Sequence, residues 1–204
     1  MILEINPKHP EPRKIKKVVE VLANGGIIAY PTDTFYGIGC DLLNKAAIEK
    51  IYQLKRRSPS QPFSFICSDL KNISEYAQVT NYAYKTMKRL LPGPYTFVLE
   101  GSRLVPKIMV MKRQTVGIRV PDHPICLAIV EEFGHPIIST SATDAETSAV
   151  LSTPREIQEK LGHALDLLVD GGIVPGVPSS VISLIDDTPE ILREGAGDLS
   201  VFRT

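Results

Sequence analysis

The stretch Gly25-Gly-Ile-Ile-Ala-Tyr-Pro-Thr-Asp-Thr34 has the pattern of a buried β-strand that ends at a proline and opens into a turn of hydroxyl side chains. The preceding segment places apolar residues at the spacing of one helical face: Ile15, Val18, Val19 and Leu22. Pro12 and the Asn24-Gly25 pair are typical start and stop signals for that helix. The sequence of helix, strand and polar turn indicates an α/β protein.

The rest of the chain continues this alternation of helices and strands. We predict helices over Ala46 to Lys55, with Asn44 as its cap, and over Asn81–Leu91, Pro124–Phe133 and Pro154–Leu161. The segments PFSFIC, YTFVL, TVGIRV, PIIST, LDLLV and SVISLI have the pattern of strands. Because YTFVL and TVGIRV are joined by a polar, proline-containing connection and not by a clear helix, we expect a mixed sheet. No repeat or linker divides residues 1–204, so we predict a single α/β domain.

Composition favours a soluble protein with a substantial core. The chain has 204 residues, of which 43% are hydrophobic and 23% charged. No apolar stretch is long enough to span a bilayer, and the N-terminus lacks the apolar segment of a signal peptide, so we expect a cytoplasmic location and no membrane partner. The cysteines Cys40, Cys67 and Cys126 are far apart and lie in apolar segments, which indicates reduced core thiols.

The formal net charge is zero, yet the charges are unevenly distributed along the chain. Residues 1–119 contain 19 Lys and Arg against 9 Asp and Glu, whereas residues 120–204 contain 4 against 14. If the two parts do not intermix in space, one face attracts polyanions such as nucleic acid. The alternative is that the charges are scattered over solvated faces.

Polar residues gather where predicted strands end, which is where open α/β sheets bind ligands. Thr32, Asp33 and Thr34 precede Gly37 and Gly39, and we expect them at a pocket mouth beside exposed backbone amides. The alternative is a turn that binds no ligand. The hydroxyl-rich run that follows PII, Ser-Thr-Ser-Ala-Thr at residues 139–143, either binds a ligand or caps the next segment.

Cations form the other candidate binding groups. Lys55, Arg56 and Arg57 at a helix end suit either the helix dipole or phosphate groups. Arg119 and Arg193 lie in or beside apolar segments, so each must find an anion, which is either a ligand or a structural carboxylate. Common nucleotide, metallopeptidase and hydrolase motifs are absent from the sequence. We interpret the scattered histidines as exposed and non-catalytic: His9, His123, His135 and His163.

Seven segments together resemble one protein family. In order they are YPTDTFYGIG, Lys55-x-Arg57, PGPYTFVL, TVGIRVPDHP, STSA, PSSV and ILREGAGD. Their order and spacing are similar to those of the YrdC/YciO family over nearly the whole chain. The amino-acid sequences of several of these segments are closer to the YciO branch. The resemblance implies a twisted mixed sheet with flanking helices and a concave basic face.

The resemblance also implies an activity. Known members combine L-threonine, bicarbonate and ATP, with Mg²⁺, into threonylcarbamoyl-adenylate and pyrophosphate for the modification of adenosine 37 in tRNA. It implies that ATP or AMP and double-stranded RNA or tRNA are partners, and it implies no metal ligands from the protein. Position by position, it assigns nucleotide binding to Lys55, Arg57, Thr115, Ser141 and Arg193. It assigns threonine or carbamate binding to Thr34, Arg119, Ser139 and Ser179, and the catalytic role to Lys55, Arg57 and Ser141.

Three positions depart from the family pattern. Thr143 stands in place of an Asn, Gln61 in place of another Asn, and Ile66 where many synthases have His. The sequence therefore leaves two hypotheses open. One is a nucleotide- and RNA-binding relative of the synthase with weak activity, and the other is a non-catalytic RNA-binding protein of the same fold. A purely structural protein does not explain the clustered hydroxyls and cations.

Overall fold

A computed structural model describes residues 1–56, 63–71, 73–105, 115–144 and 147–203. Within these ranges the strands are β1 (Ile2–Glu4), β2 (Ile28–Tyr30), β3 (Gly37–Asp41), β4 (Ser64–Ile66), β5 (Tyr95–Glu100), β6 (Thr115–Arg119), β7 (Ile137–Ser141), β8 (Leu167–Asp170), β9 (Ser180–Ser183) and β10 (Glu190–Arg193). The helices are α1 (Pro12–Ala23), α2 (Lys45–Leu54), α3 (Ile73–Tyr76), α4 (Asn81–Leu90), α5 (Pro124–Phe133) and α6 (Pro154–Leu161).

These strands form one mixed, twisted sheet in the order β1-β8-β2-β3-β7-β4-β6-β5-β9-β10. β3 lies between β2 and β7 and is antiparallel to both, while β4 is parallel to β6. β5 and β6 are antiparallel, as their polar connection predicts. The single-domain α/β fold with a mixed sheet is therefore confirmed.

Helices cover the two faces of the sheet unequally. One face packs against α2, α3, α4 and α6, with Phe65, Phe97 and Ile118 from the sheet in the core between them. The other face packs against α1 and α5, over Ile28 and Ile137. α1 and α5 contact each other and cover the half of this face that contains β8, β2 and β7. The other half, over β6, β5 and β9, forms the floor of a cleft to which no described helix contributes a lining residue.

The predicted helices are found where the local signals put them. α1 begins at Pro12, and α5 and α6 match their predicted bounds residue for residue. The Asn44 side chain accepts a hydrogen bond from the Ala47 amide at 3.0 Å, which confirms the predicted cap. The three cysteines are buried and free, as expected. β1, β3, β10 and α3 were not predicted, because each is short or lacks a clear periodic pattern.

One expectation from the sequence needs correction, and one open alternative is decided. The backbone amides of Gly37 and Gly39 are not exposed, because β3 is a buried central strand that is paired on both sides. The basic and acidic parts of the chain do intermix: β8 lies between β1 and β2, and β7 lies between β3 and β4. The uneven charge along the sequence therefore does not translate directly into two oppositely charged faces.

Candidate functional site

The uncovered half of the sheet forms a cleft of about 390 Å³. Strand residues alternate between the two faces of a sheet, so every second side chain of a strand lines the cleft. This places Thr115, Gly117 and Arg119 of β6 on the same cleft surface as Ser139 and Ser141 of β7, with β4 between the two strands. The rest of the lining includes the polar residues Thr32, Ser64, Thr96, Ser179 and Arg193, and the apolar residues Phe35, Phe63, Ile66, Val98, Val181 and Leu192.

Arg119 is nearly buried at one end of the cleft, with 12% of its side chain exposed. Its Nη2 donates to the Asp33 carboxylate and to the Thr34 hydroxyl, both at 2.9 Å. Asp33 also accepts a hydrogen bond from the Asp122 amide. The structural salt bridge anticipated for this arginine is therefore formed. Nε is also buried and has no partner among the described residues.

Arg193 lies on the opposite wall and is held by Ser179. Its Nε and Nη2 donate to the Ser179 carbonyl at 3.1 and 2.9 Å, and Nη2 also donates to the Ser179 hydroxyl. That hydroxyl is 2.8 Å from the hydroxyl of Thr96. Burial, and then the positive charge of Arg119, lower the pKa of Arg193. Arg119 and Arg193 thus place two positive charges at one cleft, and a bound anion would stabilise the charged form of both.

Each of the two β7 serines that line the cleft is hydrogen-bonded by a side chain that does not itself line the cleft. The buried hydroxyl of Tyr30 donates to Ser139 Oγ at 2.6 Å. The ammonium group of Lys55 donates to the carbonyl oxygens of Ser141 and Thr143, at 3.1 and 3.2 Å, and to the Thr143 hydroxyl. Lys55 is only 8% exposed, so in this state its ammonium group binds the end of β7 behind the cleft wall.

The structure brings most of the predicted site residues onto one surface. Six line the cleft: Thr115, Arg119, Ser139, Ser141, Ser179 and Arg193. Thr34 and Lys55 lie one hydrogen bond behind it, through Arg119 and through the Ser141 carbonyl. Arg57 and Gln61 lie outside the described residues.

Sequence reasoning missed several cleft residues. Ser64 and Thr96 line the floor, and Tyr30 supports it. The available signal was small polar residues at alternate positions of otherwise apolar strands, as in Thr96 of YTFVL, which is typical of a sheet face without a covering helix.

The histidines differ from one another. His9 and His163 are exposed, as expected. The interpretation of His123 as an exposed residue is wrong: its ring is partly buried, its Nδ1 has no partner within the described ranges, and burial lowers its pKa against the opposing effect of Asp33 and Asp122. His135 is half-buried against Phe133, with ring centroids 4.3 Å apart. None of these four described histidines lines the cleft.

No three His, Cys, Asp or Glu side chains among the described residues converge in the manner of a metal site. None of their helices has the length and apolar composition that a bilayer crossing requires.

Comparison with known proteins identifies close relatives in sequence and in structure. YciO of Escherichia coli K12 is 40% identical over 199 residues, which is 97% of both chains. The crystal structure of E. coli YciO superimposes with a TM-score of 0.93 at 39% identity, covering 99% of this chain and 98% of that one. The threonylcarbamoyl-AMP synthase of Vibrio vulnificus YJ016 is 32% identical over 162 residues, or 78% of this chain and 87% of the synthase.

The crystal structure of a longer relative contains bound L-threonine. The crystal structure of P. abyssi Sua5 complexed with L-threonine has a TM-score of 0.89 and 29% identity, covering 96% of this chain and 57% of that chain. The model of the Sua5_yciO_yrdC family, described as telomere recombination, matches residues 20–195. The chain therefore belongs to the Sua5/YciO/YrdC family.

Proposed function

We propose that the cleft binds L-threonine and ATP and, with bicarbonate, forms threonylcarbamoyl-adenylate and pyrophosphate. The observation that carries this proposal is the convergence of hydroxyl side chains, among them Thr115, Ser139, Ser141 and Ser179, and of two arginines on one cleft of about 390 Å³. The relatives named threonylcarbamoyl-AMP synthase support the reaction class.

The threonine end of the cleft is proposed at Arg119. Arg119 lines the cleft, and its guanidinium would pair with the substrate carboxylate, while Asp33 and Thr34 hold Nη2 in place. Ser139 and Ser179 line the same cleft and offer hydroxyls to a carboxylate or carbamate oxygen. The Sua5 structure with L-threonine, on a closely similar fold, supports L-threonine as a ligand of this fold.

The nucleotide end is proposed at Thr115, Ser141 and Arg193, with Lys55 and Arg57 at the phosphates. Lys55 would then exchange at least one bond to the β7 carbonyls for a phosphate oxygen. The described residues offer no carboxylate cluster for a cation, and Asp33 is paired with Arg119. The residues therefore fit Mg²⁺ that enters on the triphosphate, where it would neutralise phosphate charge.

Attack of a carbamate oxygen on the α-phosphate requires no protein nucleophile. The protein's part is to orient the two reactants and to stabilise the charge that develops as pyrophosphate leaves. The hydroxyls and the two arginines that line the cleft, carried by paired strands of one sheet, suit that task. The same groups also serve the reverse reaction, because they stabilise the same transition state.

Titration calorimetry with L-threonine, and separately with ATP, tests the two halves of the cleft. Arg119→Gln should weaken threonine binding at least tenfold, because it removes the charged donors. Arg155→Gln is the matched control, since Arg155 is 88% exposed on α6 and pairs only with Glu159 among the contacts of the described residues. Binding of both ligands without product would favour the non-catalytic alternative. No binding of either would overturn the proposal.

Binding of double-stranded RNA or tRNA is a second proposed function, and helix α4 is the feature that favours it. Its exposed side carries Tyr82, Tyr84, Lys85, Lys88 and Arg89 and no acidic residue. Such a surface combines phosphate-binding cations with aromatic rings. α4 packs on the face of the sheet opposite the cleft, so RNA and nucleotide would bind at separate places.

A further inference from the structure

Tyr30 crosses a central strand of the sheet to reach the cleft. It ends β2, its side chain is fully buried, and its hydroxyl donates to Ser139 Oγ at 2.6 Å. Ser139 belongs to β7, and β3 lies between the two strands. The phenol therefore passes over the backbone of β3 to contact a residue two strands away.

Two glycines of β3 make this passage possible. A Cβ at Gly37 would lie 2.8 Å from Tyr30 Cζ and 2.9 Å from Ser139 Oγ, and a Cβ at Gly39 would lie 3.0 Å from Tyr30 Cε1. Any other residue at Gly37 would push apart the phenol and the serine. Glycine weakens a strand interior, and its presence there is typical of a close approach by another group. The pair of glycines in β3 thus serves the contact between Tyr30 and Ser139.

The direction of this hydrogen bond determines what Ser139 can do. Tyr30 donates and Ser139 Oγ accepts. Burial raises the pKa of Tyr30 well above its usual value, so the phenol stays protonated. The proton of Ser139 Oγ itself goes to no protein oxygen among the described residues. Because Ser139 lines the cleft, its hydroxyl is left to donate into the cleft.

We propose that Tyr30 is a positioning residue that fixes Ser139 as a hydrogen-bond donor toward a carboxylate or carbamate oxygen of the bound amino acid. This rests on the proposed function of the cleft and adds a residue to it. A serine with no such partner would rotate and offer an acceptor or a donor to the ligand equally. With Tyr30 in place it offers a donor, which suits an anionic oxygen.

Titration calorimetry on Tyr30→Phe tests the proposal, since phenylalanine keeps the ring against Gly37 and Gly39 and removes only the hydroxyl. We expect the dissociation constant for L-threonine to rise about tenfold and that for ATP to change less than twofold. Tyr95→Phe is the control, because it removes a buried tyrosine's hydrogen bond to the Asp198 carbonyl on the other face of the sheet. It should change neither constant.

A double-mutant cycle separates positioning from a general loss of packing. If Tyr30 acts through Ser139, Tyr30→Phe should add nothing in a Ser139→Ala background. Additive effects, an unchanged threonine affinity in Tyr30→Phe, or an equal loss of threonine and ATP affinity would each overturn the proposal.

A proton NMR measurement keeps this test distinct from that of the proposed function. If the unmodified protein binds no L-threonine, the proposed function fails, and the Tyr30 hydroxyl proton then decides on the positioning role. We expect a slowly exchanging resonance that shifts in Ser139→Ala. A resonance that does not respond to Ser139→Ala, or a hydroxyl proton in fast exchange with water, overturns the role assigned to Tyr30.

Discussion

Asp33 and Arg119 form an ion pair of 2.9 Å in which both side chains are about nine-tenths buried. The pair leaves Arg119 Nε without a partner in the described part of the chain. Asp33 therefore neutralises part of the charge of the arginine and holds its guanidinium at the end of the cleft.

Asp33→Asn should lower the free energy of unfolding by about 1–3 kcal/mol, because a buried charged hydrogen bond is lost while the arginine stays. Threonine affinity should also fall, since the guanidinium is less firmly held. Urea unfolding and calorimetry measure the two effects. Asp69→Asn is the control: its pair with Lys71 is exposed, so a change within about 1 kcal/mol is expected. Equal destabilisation by the two variants would contradict the role of Asp33.

Replacing Lys55 and Arg57 together with Ala should weaken ATP binding by at least about 2 kcal/mol, if each charged hydrogen bond contributes its usual amount. Lys45→Ala, at the other end of α2, is the control, because Lys45 is 78% exposed and pairs with Glu49. Calorimetry showing an unchanged ATP affinity in the double variant would rule out these residues as phosphate ligands. Lys55 would then serve only to hold the end of β7.

The Thr143→Asn, Ile66→His double variant should form threonylcarbamoyl-adenylate faster than the unmodified protein. Ile66 lines the cleft, and Thr143 binds Lys55 at the end of β7, so both departures from the family pattern lie where reactants would be held. An amide both donates and accepts, and misplacing reactants by about 1 Å can slow turnover about a hundredfold. Product formation per minute at saturating ATP measures the gain. Unmodified protein that already matches a synthase carrying Asn and His would refute this interpretation.

RNA binding, if α4 mediates it, should be weak, indifferent to sequence and sensitive to salt. Neutralising Lys85, Lys88 and Arg89 to Gln should reduce the slope of log affinity against log salt by about 2–3, because three phosphate contacts are lost. The control neutralises Arg13, Lys16 and Lys17, which are three exposed cations on α1 at the other face of the sheet. Gel-shift titrations across a salt series compare the two variants. An equal reduction of this slope in the α4 and α1 variants would assign RNA binding to the net charge of the protein and not to α4.

The sequence predicted the longer helices well but missed the strands β1, β3 and β10. α5 and α6 have a proline at their first position and a clear end signal, so local chemistry defines their bounds. β3, Gly-Ile-Gly-Cys-Asp, contains two glycines and has low strand propensity. Its position in the centre of the sheet is determined by pairing with β2 and β7, which no local pattern reveals.

The sequence predicted six of the residues that line the cleft, but not which predicted residues lie behind its wall. The motifs identified the hydroxyls and arginines that now line one cleft. They did not separate residues on its wall, such as Ser139, from residues one bond behind it, such as Thr34 and Lys55. That distinction depends on which way each strand faces and on contacts between residues about 85 positions apart, such as Arg119 with Thr34.

Incubation of the pure protein with ATP, Mg²⁺, bicarbonate and labelled L-threonine tests directly whether the cleft forms threonylcarbamoyl-adenylate. We expect labelled threonylcarbamoyl-adenylate and an equal amount of pyrophosphate, with the yield abolished in Arg119→Gln and retained in Arg155→Gln. Absence of the adenylate at high protein concentration, or a yield that does not depend on Arg119, would contradict the proposed function.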